Sequence, residues 1–208
     1  MRVRIHFKKT EAMRFTGHLD LQSAWMRVFR RAGLQLEHSL GFHPQPKLQL
    51  ASALPLGYIS SGEVLDCWIR DTFTTIDLAK SIQAALPPGL ELNTIEVIPP
   101  EAPKVQVALM TADYQVLLPM VEELDDLPTK ITGFLETTEV MVDRRGKPRN
   151  IRELVERIDF CPSKTGRSIM TMRLSARESA TGRADEILTH LGIDPFRCLI
   201  ERTQLNFS

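Results

Sequence analysis

The groups best suited to chemistry in this 208-residue sequence are gathered in its first third. His43 and Lys47 flank Pro44 and Pro46, whose fixed φ angles hold a titratable ring and an ammonium group at a set separation. His18, Asp20 and Glu63 add a second imidazole and two carboxylates. General acid–base catalysis would use His43 or His18 to carry the proton, Lys47 or an arginine to stabilise developing charge, and Asp20 or Glu63 to orient the ring. Anion binding is the simpler use. Arg14-Phe15-Thr16-Gly17-His18 precedes a predicted helix. Thr16 can cap that helix, Gly17 permits close approach, and free N–H groups at the positive end of the dipole suit a phosphate or carboxylate flanked by Arg14 and His18.

The helix is legible from its period. Leu21, Ala24, Trp25, Val28, Phe29 and Ala32 form one apolar stripe, and Gly33 stops it. Asp20, Ser23, Arg27, Arg30 and Arg31 are left outside. The three arginines stand at i, i+3 and i+4 and repel one another without a counter-anion. Either they bind an anion, or they are a solvated face matched by carboxylates of the same chain. For RNA, Arg14, Arg27, Arg30, Arg31 and Lys47 would contact phosphates, and Phe42 or Tyr58 would stack on a base.

Composition supports a local field and not a global one. Lys plus Arg and Asp plus Glu both number 26, so no net charge draws the molecule to nucleic acid or membrane. The first fifty residues nonetheless hold nine Lys or Arg, three Asp or Glu, and four of the five histidines: His6, His18, His38 and His43. A hydrophobic content of 43% argues against disorder. Cys67, Cys161 and Cys198 are odd in number and far apart, which argues against a disulfide framework and for the reducing cytoplasm. No apolar run approaches the roughly eighteen residues of a membrane span. The opening MRVRIHFKK alternates like a strand and lacks the apolar stretch of a signal peptide.

Residues 2–8 are expected to form that strand, with Val3, Ile5 and Phe7 inward. After the helix come a strand near 34–39, a Pro- and Gly-rich loop from Ser39 to Glu63, a strand near 62–70, a helix near 75–86 closed by Pro87-Pro88-Gly89, and a strand near 91–98. The loop is long for a connection inside a domain, and its apolar residues, Leu40, Phe42, Leu48, Leu50, Leu54, Leu56, Tyr58 and Ile59, call for burial. Pro99, Pro100 and Pro103 predict a stiff connector over 99–110. The second half, 111–208, repeats the order, with strands near 112–118, 136–143, 168–176 and 197–206 and helices near 119–132 and 182–191. The expected fold is α+β: two tandem ferredoxin-like βαββαβ units with antiparallel sheets, 1–98 and 111–208.

No P-loop, GxGxxG, HExxH or nucleophile elbow is present, so no cofactor is expected. His18, Asp20 and His43 repeat no known metal-ligand spacing. The segments RFTGHLDL at 14–21 and RRAGLQLEHSLGFHPQPKLQLASALPLGYISSGEVLD at 30–66 resemble the radical-SAM-linked family, a domain of unknown function. The matching positions are Arg14, Thr16, Gly17, His18, Asp20, Arg30, Arg31, Gly41, Phe42, His43, Pro44, Lys47, Pro55, Gly57, Ser60 and Glu63. Members of that family are encoded beside, or fused behind, a radical-SAM protein, often near ribonuclease and ribosomal-protein genes. The resemblance therefore implies a radical-SAM partner and points to RNA, without assigning a role to any residue. The radical enzyme itself needs three closely spaced cysteines for a four-iron cluster, a spacing Cys67, Cys161 and Cys198 do not supply. An accessory or substrate-binding module is thus expected, with an RNA-modifying enzyme and a protein–protein adaptor as the alternatives.

Overall fold

A computed structural model describes residues 1–119, 124, 126–144, 146–163 and 166–208. The chain divides into two units, Met1–Leu109 and Met110–Ser208. In chain order the first comprises β1 (Arg2–Lys9), α1 (His18–Arg31), β2 (Leu48–Leu50), β3 (Ile59–Trp68), α2 (Thr75–Ala85), β4 (Leu90–Val97) and α3 (Val105–Ala108). β1 is central, pairing antiparallel with β3 on one side and β4 on the other, and β2 pairs antiparallel with β3. The alternation seen in the sequence has its expected consequence: Val3, Ile5 and Phe7 are fully buried. They share one core with Trp25, Phe29, Leu65, Leu78 and Ile82, so both long helices pack against this face of the sheet. Trp25 meets the Phe7 ring edge-on at 4.9 Å and lies 5.8 Å from Phe29, arrangements that add to the area buried by each ring.

Gly89, at φ +96°, forms the turn into β4. A Cβ there would stand 2.6 Å from Met13 Cγ and 3.0 Å from the Met13 backbone nitrogen. Gly89→Ala therefore combines left-handed strain of about 1–2 kcal/mol with a steric overlap. The expected result is a clear fall in melting temperature, measured by circular dichroism.

The second unit comprises β5 (Leu109–Leu117), α4 (Leu127–Glu136), β6 (Met141–Asp143), β7 (Pro148–Asn150), β8 (Val155–Cys161), β9 (Ile169–Arg177), β10 (Ala180–Thr181), α5 (Ala184–His190) and β11 (Leu199–Phe207). β9 pairs antiparallel with β5, β8 and β10, β11 neighbours β5, and β6 and β7 form a separate hairpin. The fold class is accordingly α+β, with antiparallel pairing along β1, β3 and β9.

Several expected elements differ. Residues 34–39 are not a strand: only isolated bridges join Leu36 to Ile69 and His38 to Pro46. Pro44 and Pro46 lack the N–H groups a longer ladder would need. The region assigned to a connector holds α3 and the start of β5. Of the helix expected near 119–132, residues 120–123 and 125 lie outside those described, and α4 continues to Glu136, leaving only Met141–Asp143 of the next expected strand. β8 escaped notice because Glu156, Arg157 and Asp159 and a bulge between Val155 and Arg157 obscure its alternation. Among the described residues no helix is long and apolar enough to cross a membrane.

None of the three cysteines forms a disulfide. Burial, reinforced by Asp66, pushes the Cys67 thiol up, and burial with the charge of Asp194 pushes Cys198 up to about 11. Both are neutral thiols at pH 8, and neutral buried thiols are poor nucleophiles. Cys161 is exposed. Alkylation of the native protein at pH 8, read by intact mass, is expected to add one label, at Cys161; unfolding should expose the other two.

Candidate functional site

The residues singled out in the sequence fall into two regions at opposite ends of α1. His18 opens the helix and Arg30 is near its close, about 18 Å apart along the axis at 1.5 Å per residue.

At the opening end, most polar groups are committed to holding the chain. Arg14 Nε donates to Gly57 O (2.8 Å), and Gly57 N returns a bond to Arg14 O (3.1 Å). Lys9 Nζ donates to Arg14 O (3.1 Å) and Tyr58 O (3.0 Å). Lys9, Ser60 and Glu63 are buried beneath this clamp, and the Arg14 guanidinium lies 5.4 Å from the Phe15 ring centre. Thr16 does not cap α1. The N-cap is Gly17, whose carbonyl accepts from Leu21 N and which has no side chain to contribute. Gly17 has an ordinary φ of −73°, and a Cβ on it would sit 3.6 Å from Asp20 Oδ2, an ordinary contact, so close approach does not require glycine here. His18 is half-buried, its Nδ1 sealed from solvent without a hydrogen-bond partner, and Asp20 is exposed.

At the closing end, α1 and the chain returning from it enclose a groove of about 610 Å³. Phe29, Leu34 and Leu36 form an apolar floor, joined by Met26; Arg27, Arg30 and His38 stand exposed at the rim, with Ser23 and Pro46 completing the lining. Among the described residues, Arg27, Arg30 and Arg31 form no ion pair. Other arginines do: Arg2 and Arg4 hold Asp66 at 2.7 and 2.8 Å, and Arg173 holds Asp113 at 2.7 Å. Arg30 and Arg31 complement the negative end of the helix dipole, but Arg27, a turn earlier, lies outside that effect. Lys47 is paired with Glu37 at 2.9 Å, so its charge is matched within the protein.

From His38 and Pro46 at the edge of the groove the chain forms a finger from Ser39 to Gln45. Its neck is closed by Ser39 N to Gln45 O (2.8 Å), by Gln45 N to Ser39 Oγ (3.0 Å) and by the His38–Pro46 bridge. Gly41, at φ +137°, makes the turn that only glycine adopts readily. Leu40 and Phe42 at the tip, expected to be buried, are fully exposed, Leu56 further along the loop is also exposed, and His43 is exposed beside the tip with no carboxylate partner among the described residues. Tyr58, by contrast, is buried, so of the two proposed stacking rings only Phe42 is accessible. His38 and the floor residues Met26, Leu34 and Leu36 were not singled out in the sequence. Their signal was the short spacing between Gly33 and His38, but which groups face α1 depends on the backbone bonds Glu37 N to Trp68 O and Lys47 N to Glu37 O.

The second unit has a smaller pocket of about 220 Å³, lined by residues including Asp113, Tyr114, Arg157, Asp159 and Arg173. Its charges are largely matched internally: Arg173 donates twice to Asp113 (2.7 and 2.9 Å), Asn206 donates to the same carboxylate, and Arg157 pairs with Asp159. The Arg173 guanidinium holds the Asp113 carboxyl below the usual carboxylate range. Among the described residues, no three His, Cys, Asp or Glu side chains are grouped to hold a metal ion.

The chain is thus an α+β protein in which Arg27 and Arg30 line a groove whose edge, at His38 and Pro46, carries an exposed aromatic-tipped finger. It belongs to the family described as "Uncharacterized protein conserved in bacteria (DUF2344)", whose model matches residues 2–184. Among curated proteins none matches it in sequence. Two solved structures follow a similar backbone path at low identity. A chain from an H/ACA RNP bound to a substrate RNA containing 2'-deoxyuridine is 11% identical with a TM-score of 0.49, the match covering 98% of this chain and 47% of that one. A chain from the archaeal box H/ACA sRNP Nop10-Cbf5 complex is 12% identical with a TM-score of 0.47, covering 98% and 48%. This chain therefore spans just under half the length of each.

Proposed function

We propose that this protein is a binding module that holds RNA on the closing half of α1 and presents it to a radical-SAM enzyme, without a reaction of its own. The observation that carries this reading is the set of Arg27, Arg30 and Arg31, three guanidinium groups without carboxylate partners among the described residues, two of them on the rim of an open groove. Clustered, unmatched arginines suit successive phosphates. The radical-SAM partner rests on the resemblance at 14–21 and 30–66, and a cytoplasmic setting fits three cysteines that form no disulfide. The strand orders β2-β3-β1-β4 and β8-β9-β5-β11 support reading the chain as two ferredoxin-like units, the second with the β6–β7 hairpin inserted. Acid–base catalysis is the weaker reading, because among the described residues no carboxylate orients His43, and Lys47 is bound to Glu37.

The test is a pull-down of the tagged chain beside an Arg27→Ala, Arg30→Ala, Arg31→Ala variant, with co-purified RNA and proteins identified. RNA present with the wild type and absent from the variant is the expected result, together with a radical-SAM protein. RNA-free recoveries from both would overturn the RNA-binding reading.

A further inference from the structure

We infer that the Ser39–Gln45 finger makes the groove selective for single-stranded RNA, with Phe42 stacking on an unpaired base while Arg27 and Arg30 hold the flanking phosphates. This rests on the RNA-binding reading above and adds the form of RNA that is bound. Phe42 is fully exposed on a tip whose neck is fixed by backbone and side-chain hydrogen bonds. His38, at the base of the finger, lines the groove. The four residue-to-residue steps from His38 to Phe42 span at most about 14 Å, so the ring stands within reach of a strand lying along the rim arginines. A duplex keeps its base faces stacked inside; only an unpaired base can offer one to a side chain.

The charge around the finger selects the occupant. Between Leu21 and Pro46 the sole acidic residue is Glu37, and it is bound to Lys47. The remaining charged groups of that stretch are arginines. An exposed ring close in sequence to unmatched cations, with the one neighbouring carboxylate already bound to Lys47, is a combination by which single strands are held, the cations following the backbone and the ring taking a base of any identity. A protein partner that docked the tip by apolar contact alone would gain nothing from this cationic surround.

The test measures binding of a short, unstructured, dye-labelled RNA and of the same strand annealed to its complement, by fluorescence anisotropy at one ionic strength. The wild-type chain should prefer the single strand. Phe42→Ala should weaken single-strand binding about five- to a hundredfold, the range expected from removing one stacking ring, with duplex affinity and melting temperature unchanged. Phe42→Tyr should retain the preference and Phe42→Leu should lose it. If the wild type binds both forms equally, or Phe42→Ala or Phe42→Leu binds the single strand as the wild type does, the finger's role is overturned while RNA binding stands. If the wild type binds neither form, the RNA-binding reading fails and this inference with it.

Discussion

Asp66→Asn is expected to lower the stability of the first unit by about 3–5 kcal/mol, the cost of breaking a buried ion pair by removing one partner. Asp66 is completely buried on β3, and two guanidinium groups converge on it from β1. Arg2 donates from Nη2 at 2.7 Å and Arg4 from Nε at 2.8 Å. Arg2 is itself buried, donates onward to the carbonyls of Ala102 (2.6 Å) and Pro103 (2.7 Å), and lies 5.2 Å from the Trp68 ring centre. Asparagine keeps the shape but removes the anion, leaving a buried cation without its counter-charge. In a unit of this size the change corresponds to a fall of roughly 12–40 °C in melting temperature. The half-exposed Lys47–Glu37 pair supplies the contrast, since Glu37→Gln should shift stability by no more than about 1 kcal/mol. Urea titrations of both variants at neutral pH measure the difference, and an Asp66→Asn loss as small as that of Glu37→Gln would show that the network is not a principal tie between β1 and β3.

The second large effect is on binding. Removing Arg27, Arg30 and Arg31 together should weaken single-stranded RNA binding by at least about tenfold, or 1.4 kcal/mol. It should also flatten the dependence of log affinity on log salt by about two units, from roughly 0.7 per phosphate contact on a single strand. Stability should change little. Relief of like-charge repulsion along the helix contributes a few tenths of a kcal/mol, and loss of two cations from the negative end of the dipole offsets it. Anisotropy titrations across a salt series give both quantities. A weaker affinity with an unchanged slope would mean that these arginines act on RNA without direct phosphate contact.

The parts of the fold and the groove that were legible in the sequence are those governed by local periodicity. The alternation of Val3, Ile5 and Phe7 located β1, and the stripe from Leu21 to Phe29 located α1 and left its arginines outside. What was not legible depends on residues distant in sequence. Lys47 looked available until the neck of the finger brought it onto Glu37, and Tyr58 looked like a stacking ring until the Lys9–Arg14 clamp drew its segment inward. The groove was hidden for the same reason: Leu34 and Leu36 read as a strand, whereas they serve as the floor beneath α1. Thr16 met the compositional rule for a cap, but the helix begins one residue too late for it to act as one.

The measurement that bears most directly on the central claim is photo-crosslinking of the wild-type chain to single-stranded RNA, with the crosslinked peptides identified by mass spectrometry. Nucleotide adducts should concentrate between Ser23 and Lys47, on the closing half of α1 and on the finger that carries Phe42. Adducts confined to the second unit, around Asp113 and Arg173, or no adducts at all, would contradict the assignment of this groove as the seat of RNA.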